Sequence, residues 1–229
     1  MKNVRLIIPA YNEENSIAKV IAAIPEMIAE VIVVNNASTD QTAQVASSAG
    51  ATVLHERNMG YGYACLKGIE YLQNKKDSTA IVVFMDGDYS DFPEEMPKIL
   101  APILEQNIDF VVGARVKSKR EAGSMTLPQI FGNWLATSLM RLFFHSNFTD
   151  LGPFRAIKYE KLLELNMEDK TYGWTVEMQL KVLKKNMTYT EVEMNYRNRI
   201  GTSKVSGTVR GAVMAGVKIL GWIFKYSFK

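Results

Sequence analysis

The chain has 229 residues, 47% of them apolar, which fits one medium-large globular domain or a domain with a small appendage. Its one cysteine, Cys65, excludes an internal disulfide and fits a reducing compartment, and the opening Met-Lys-Asn-Val-Arg has no secretory apolar stretch behind it, which predicts a cytoplasmic protein. Net charge is +3, but seven of the 27 basic residues (Arg197, Arg199, Lys204, Arg210, Lys218, Lys225, Lys229) follow Glu193, the last acidic residue, so the preceding body holds 20 basic against 24 acidic groups and the basic end suits an anionic partner.

Strand and helix patterns alternate through the first half. Val4–Ile8 reads as a strand, 14–24 as a helix, Val31–Val34 as a strand and 40–49 as a helix. Thr52–His55 is a short strand and Tyr61–Gln73 a helix that carries Cys65 as a core residue rather than a nucleophile. Ala80–Met85 is a strand, Pro93–Gln106 a helix and Asp109–Val112 a strand. Such alternation with short connections predicts a parallel sheet wound by right-handed crossovers.

The second half changes character. Lys117–Gln129 is polar and basic and reads as a mobile loop. Ile130–Phe144 is an apolar helix, Phe154–Ile157 a strand, Trp174–Lys185 a helix and Thr188–Val192 a strand. A last helix, 206–226, is amphipathic: at 100° per residue Arg210, Lys218, Lys225 and Lys229 share about one hundred degrees of arc. Its apolar stretch is too short and interrupted to span a bilayer. It can lie in a membrane interface, with Trp222, Phe224, Tyr226 and Phe228 at headgroup level, or dock on its own domain or a second subunit.

The segment 81–91, Ile-Val-Val-Phe-Met-Asp-Gly-Asp-Tyr-Ser-Asp, carries the chemistry. An apolar run of the kind buried on both faces stops at two carboxylates, Asp86 and Asp88, where a strand opens into a loop. In open α/β sheets that edge binds ligands. Hard oxygen ligands there suit Mg²⁺ or Mn²⁺ bridging to substrate phosphates. A structural reading competes: Asp-Gly-Asp also makes turns, and Asp91 with Glu94 fits a helix N-cap and capping box. Two further strand ends face the same crevice, at Pro9-Ala10-Tyr11-Asn12-Glu13-Glu14 and Asn35-Asn36-Ala37-Ser38-Thr39-Asp40. Arg57-Asn58-Met59-Gly60-Tyr61-Gly62 leads into a helix through two glycines, which allow tight turns and close backbone approach. The third glycine of the dinucleotide fingerprint is missing, which disfavours a nicotinamide cofactor.

These four motifs, in this order, make the chain resemble the family 2 glycosyltransferases of GT-A fold over most of its length. The resemblance implies an α/β fold with a mainly parallel central sheet flanked by helices. One catalytic domain would span 1–205, with a nucleotide-binding half (1–112) and an acceptor half (113–205), followed by the basic amphipathic helix 206–229. It implies sugar transfer with inversion from a UDP- or GDP-linked donor, and Mg²⁺ or Mn²⁺ on Asp86 and Asp88. Pro9, Ala10, Tyr11, Glu13, Asn36, Asp40, Arg57 and Gly62 would lie around the nucleoside. Gly113-Ala114-Arg115, the segment 149–155 and Arg199-Ile200-Gly201-Thr202-Ser203-Lys204 look like the dolichyl- and polyprenyl-phosphate sugar transferases. In those enzymes cations at such positions hold the acceptor phosphate and the diphosphate. Here they are Arg115, Arg199 and Lys204, with Arg197 as a neighbour, and guanidinium forks match phosphate oxygens bidentately.

Three positions depart from that pattern. Asn35-Asn36-Ala37-Ser38 stands where Asp-Asp-Gly-Ser is frequent, which leaves uracil and guanine both open. Ser90 stands where a Gln is frequent, so a third protein ligand to the metal is not evident. The pair of C-terminal membrane spans of many relatives is replaced by the amphipathic helix.

The implied reaction is a single displacement at the anomeric carbon, with Asp88 on the metal and Arg199 and Lys204 adding positive charge at the leaving diphosphate. A lipid-phosphate acceptor needs no strong base. A sugar hydroxyl needs one, and Glu177 and Asp150 are the candidates. Transfer to a sugar hydroxyl in cell-surface glycan synthesis is therefore an alternative. So are a sugar-phosphate nucleotidyltransferase, whose glycine-rich first loop is absent from 9–15, and a non-catalytic membrane- or nucleic-acid-binding module. The expected partners are a nucleotide-sugar, a lipid phosphate and the cytoplasmic membrane face through 206–229, without nucleic acid. A homo-oligomer is left open.

Overall fold

The computed structural model describes residues 3–75, 78–201 and 209–227. Seven strands form one sheet: β1 (Asn3–Ala10), β2 (Ile28–Asn36), β3 (Thr52–Glu56), β4 (Thr79–Phe84), β5 (Phe110–Ala114), β6 (Arg155–Lys158) and β7 (Tyr189–Glu193). Their order is β3-β2-β1-β4-β6-β5-β7. Only β6 runs antiparallel to its neighbours, β4 and β5; the other pairs are parallel, as the alternation predicts.

Among the described residues eight α-helices cover the two faces: α1 (Ile17–Ala22), α2 (Thr42–Ser48), α3 (Tyr61–Asn74), α4 (Met96–Gln106), α5 (Leu127–Phe144), α6 (Tyr159–Leu165), α7 (Trp174–Lys184) and α8 (Val209–Ser227). The unbroken apolar run of β1 follows from this layering. Ile7 belongs to the apolar layer formed with α3 and α5–α8, whereas Leu6 and Ile8 belong to the opposite layer, formed with α1, α2 and α4. A strand covered on both faces has no solvent position to fill with polar residues. Each such fully buried side chain contributes roughly 1.5–3 kcal/mol by leaving water. Cys65 belongs to the first of these layers, and burial pushes its thiol up, so it is inert core.

Several element bounds differ from the sequence reading, each for a local reason. The first helix starts at Ile17 rather than near Glu14, because Asn12 sits in the left-handed region at φ 54° and the Glu13 carbonyl caps the turn by accepting from Ser16 and Ile17. The second starts at Thr42, whose N–H bonds back to Asp40 Oδ1 at 3.0 Å. The capping box at Asp91 and Glu94 does not form. Phe92 precedes a 3-10 turn, Pro93–Glu95, without any side-chain cap, and Asp91 is buried instead. The short helix α6 was not expected. The 117–129 segment is not a free loop: Glu121 N–H bonds to the Tyr196 carbonyl at 2.8 Å, Glu121 Oε2 accepts from Asn198, and Thr126 begins a true capping box with Gln129 at the start of α5.

The helix α8 docks on its own domain. Trp222 and Ile223 are buried, and the Trp222 indole donates to Asp169 Oδ2 at 2.6 Å. Trp222 is therefore an anchor into the protein and not a headgroup residue; Phe224 remains exposed, and Phe228 lies outside the described residues. Among the described residues no helix is long and apolar enough to cross a membrane.

Candidate active site

The carboxyl ends of β1, β2 and β4 open onto one cleft, where β1 has β2 on one side and β4 on the other. A cavity of about 320 Å³ occupies it. Of the residues picked out by sequence, Pro9, Ala10, Tyr11, Glu13, Asn36, Asp86, Asp88 and Arg199 line this chamber. Met59, Tyr61, Thr171 and Tyr172 join them without having been expected.

Asp88 is held in place by an Asx turn. Its Oδ1 accepts from the Ser90 N–H at 2.9 Å and the Ser90 hydroxyl at 2.5 Å, while Oδ2 lies 3.2 Å from Arg199 Nη1. Ser90 thus orients a metal-ligand candidate rather than standing as a ligand itself. Asp86 differs. Its Oδ1 is buried without a hydrogen-bond partner, and burial together with the neighbouring Asp88 charge pushes its carboxyl up to about 7, against the opposing pull of Arg199. An orphaned carboxylate oxygen beside a second carboxylate fits a hard divalent cation. Among the described residues no third acidic, His or Cys side chain converges there, so Asp86 and Asp88 would hold such a cation with its other positions left to substrate oxygens and water.

Residues 196–201 lie alongside this turn. Arg197 N–H bonds to the Ser90 carbonyl and Ile200 N–H to the Asp88 carbonyl, both at 2.9 Å. Arg199 thereby reaches over the cleft, with Nη2 3.0 Å from Glu13 Oε1 and Nη1 on Asp88. Arg197 serves the scaffold. Its guanidinium stacks 3.5 Å from the Tyr89 ring and 4.0 Å from the Phe92 ring and donates to the carbonyls of Tyr89 and Asp91. Lys204 lies outside the described residues.

A second chamber, also about 320 Å³, opens on the other side of the carboxylates. It shares Tyr61, Asp86, Asp88, Thr171, Tyr172 and Arg199 with the first and adds Arg115, Trp174, Tyr196 and residues of α5 and α8. Arg115 is fixed by Asp150 through two guanidinium bonds of 2.8 and 2.7 Å and a backbone N–H of 2.8 Å. Burial would raise the Asp150 carboxyl, but the Arg115 charge and bonds hold it below the usual range. Arg155 is wholly buried and donates to the Gly152, Leu151 and Thr175 carbonyls, tying the 150–153 turn to α7. Burial lowers its guanidinium to about 10.

Expectations for six residues change on this geometry. Glu177 is not poised as a base: it is fully buried, its oxygens accept the N–H groups of Glu168 and Asp169 at 2.8 Å each, and Lys181 pairs with it at 2.8 Å. Asp150 is committed to Arg115, so neither base candidate is free. The Asn36 amide lines the chamber, but its Oδ1 accepts from Gly60 N–H and its Nδ2 donates to the Asn58 carbonyl, so it braces the β3–α3 loop instead of offering its amide to a base. Gly62 makes room for the chain itself: a Cβ there would lie 2.0 Å from the Asp169 carbonyl oxygen. Asp40 and the exposed Arg57 line neither chamber. The contribution of Thr171 and Tyr172 had no local sequence signal, because the 168–173 loop reaches the cleft only through long-range ties to Glu177 and α3.

Comparison with known proteins agrees with this arrangement. Residues 6–165 match the model of the family described as glycosyl transferase family 2. A protein of Mycobacterium tuberculosis described as an uncharacterized glycosyltransferase is 33% identical over 219 residues, 93% of this chain and 94% of its own. The undecaprenyl-phosphate mannosyltransferase of Micrococcus luteus is 28% identical over 225 residues, covering 92% and 90% of the two chains. The crystal structure of glucosyl-3-phosphoglycerate synthase from Mycobacterium tuberculosis with Mn²⁺, UDP and phosphoglyceric acid superposes with a TM-score of 0.78 at 20% identity, over 99% of this chain and 78% of that one, a likeness of fold. With a family match that runs from β1 through α6, the chain belongs to glycosyltransferase family 2.

Proposed function

We propose that this glycosyltransferase moves a hexose from a UDP- or GDP-linked sugar to a lipid phosphate of the polyprenyl-phosphate type, with Mg²⁺ or Mn²⁺ bound by Asp86 and Asp88. The observation that carries the acceptor class is the make-up of the second chamber. The acids that line it are Asp86 and Asp88, and the cations are Arg115 and Arg199. A sugar hydroxyl must lose a proton in the transfer and needs a carboxylate free to take it. Glu177 and Asp150 are both engaged elsewhere. A phosphate monoester is already ionised near neutral pH, so that lack costs it nothing. The mannosyltransferase of Micrococcus luteus, named for undecaprenyl phosphate, supports the same class. The glucosyl-3-phosphoglycerate synthase complexes support the metal and a uridine-diphosphate donor.

The first chamber, within the nucleotide half 1–112, takes the nucleoside diphosphate, with Tyr11 and Ala10 at its wall. The second, built mainly from the acceptor half 113–205, takes the acceptor head. A divalent cation on Asp86 and Asp88 supplies Lewis-acid stabilisation of the departing diphosphate. Arg199 leaves Glu13 and Asp88 to pair with diphosphate oxygens, and Arg115, pre-oriented by Asp150, holds the acceptor phosphate bidentately. A phosphate oxygen then attacks the anomeric carbon from the face opposite the diphosphate. The new C–O bond forms as the old one breaks, the nucleoside diphosphate leaves with the electron pair, and the anomeric configuration inverts. The reading keeps the protein at the cytoplasmic membrane face, with peripheral contact through 206–229.

The test is transfer from labelled UDP- and GDP-sugars, with Mn²⁺ and with EDTA, to a polyprenyl phosphate and separately to hydroxyl acceptors. Mn²⁺-dependent labelling of the lipid phosphate, lowered at least a hundredfold by Asp88→Asn, is expected; each polar group aimed at developing charge is worth about that factor. Labelling of hydroxyl acceptors alone would overturn the acceptor class.

A further inference from the structure

We infer that the side-chain hydroxyls of Thr171 and Tyr172 read the hydroxyl pattern of the hexose being transferred, and that the 168–173 loop is built to hold them where the two chambers meet. The inference rests on the nucleotide-sugar donor proposed above and adds the residues that choose among its sugars.

The place of the hexose follows from the two chambers. The bond that breaks joins the diphosphate to the anomeric carbon. With the nucleoside diphosphate in the first chamber and the acceptor head in the second, the sugar sits at their junction. The side chains that line both chambers are Tyr61, Asp86, Asp88, Thr171, Tyr172 and Arg199. The two carboxylates and Arg199 serve the cation and the diphosphate, which leaves three uncharged residues to face the sugar. The Tyr61 hydroxyl is itself buried, so it is not open to a ligand. Thr171 is half-buried and Tyr172 is 37% exposed, and among the described residues neither hydroxyl has a hydrogen-bond partner. A hydroxyl both donates and accepts, as each hydroxyl of a sugar does.

The backbone around these two side chains is tied down on every side. Glu177, fully buried and paired with Lys181, accepts the N–H groups of Glu168 and Asp169 at 2.8 Å each. Asp169 Oδ1 accepts the Thr171 and Gly173 N–H groups at 2.7 and 3.0 Å, and its Oδ2 accepts the Trp222 indole. The carbonyls of Lys170 and Thr171 accept from Tyr63 and Gly62 at the start of α3. Burying an ion pair is unfavourable unless its atoms are fully bonded, and here the bonds fix one short loop. A loop that only covers the cleft needs no such fastening, and its polar side chains would face bulk water. This one holds its backbone fast and leaves two hydroxyls free in the cleft. Groups pre-positioned in this way lose little freedom on binding and discriminate by whether a sugar hydroxyl meets them. The net worth of one neutral hydrogen bond corresponds to about a fivefold change in affinity.

Calorimetry on the full chain with Mn²⁺ tests the assignment, using UDP and GDP alone and two pairs of epimers, UDP-glucose with UDP-galactose and GDP-mannose with GDP-glucose. Within a pair the charge and the nucleotide are the same, so a difference reports the sugar. The wild type is expected to prefer one epimer by about tenfold or more, the sum of two such bonds. The double variant Thr171→Val/Tyr172→Phe keeps both shapes and removes only the hydroxyls, neither of which bonds within the protein, so it should fold as the wild type does by circular dichroism. Its preference should shrink to within about threefold, with the affinity for the bare nucleotide changed by less than about twofold. A preference that survives in the double variant overturns the inference, and so does a wild type that takes all four sugars equally. An equal loss for bare nucleotide and nucleotide-sugar overturns it as well, because the loop would then shape the nucleotide site only. In each of these cases binding of UDP or GDP leaves the donor reading standing. A wild type that binds neither nucleotide sinks that reading, and the inference with it.

Discussion

Asp150 and Asp86 lie close together in sequence-based expectation and far apart in chemistry. Both are buried carboxylates near the cleft, yet Arg115 holds one low, while burial and Asp88 push the other up to about 7. The sign for Asp150 follows from linkage. A carboxyl whose folded value is depressed adds stability above its unfolded value, near 3.9, and loses it as pH falls through the folded value. Asp150→Asn removes the carboxylate and leaves the Arg115 charge buried without it. Urea denaturation at pH 7 should show a loss of about 3–5 kcal/mol, the usual result of breaking one side of a buried pair. The variant's stability should also fall less steeply than the wild type's as pH drops below about 5, where the unfolded carboxyl takes up a proton that the depressed native one does not yet accept. Superimposable acid limbs would show that the pair contributes nothing to folding. At this scale the place of the two carboxylates at the mouth of the cleft was legible in the sequence, because acids that stop an apolar run mark where a buried strand opens into a loop. The partners of Glu177 were not, since the N–H groups of Glu168 and Asp169 reach it only through a loop whose path the residue string does not encode.

The start of α3 shows the same limit for an element. Glycines there allow close backbone approach, and the family resemblance implies the nucleoside as what lies near Gly62. In the fold the visitor is the protein's own 169–171 loop: Gly62 N–H meets the Thr171 carbonyl at 3.3 Å and Tyr63 N–H meets the Lys170 carbonyl at 3.0 Å. That loop supplies Thr171 and Tyr172 to both chambers, and its Asp169 accepts the Trp222 indole of α8. Gly62→Ala should displace it, because the added methyl would lie 2.0 Å from a backbone oxygen that has no flexible end to swing aside. Calorimetry with UDP or GDP and Mn²⁺ should find binding weakened by about tenfold, or 1.4 kcal/mol. Gly132→Ala, whose methyl meets open space, should match the wild type. Unchanged nucleotide affinity in Gly62→Ala would mean that the loop does not shape the donor chamber. Helix existence was readable from periodicity almost throughout, and the exception is instructive. In α6 two buried leucines, Leu162 and Leu165, are all the pattern a seven-residue helix can offer.

At the scale of the whole molecule, the proposed nucleotide and acceptor halves share one seven-stranded sheet and are not separate folding units. The parallel sheet was legible, because buried strands must be apolar on both faces and short connections force crossovers. The place of β6 was not, since strand order depends on pairing between segments distant in sequence. Its insertion between β4 and β5 has a consequence. Residues 110–114 of β5 pair with β6 on one side and β7 on the other, and make no ladder with β4. A fragment ending at 112 would therefore hold a truncated β5 with no partner strand, and a bare edge on β4 along Ile81–Phe84, where β6 normally lies. Unpaired buried strand edges are not tolerated, and they aggregate. The fragment 1–112 is expected to be unfolded or insoluble, and the full chain to unfold in urea with tryptophan fluorescence and far-ultraviolet circular dichroism superimposed. Trp174 and Trp222 report from the α7–α8 side, while most strand signal comes from β1–β4, so two separated transitions would show that the halves fold independently despite their shared sheet.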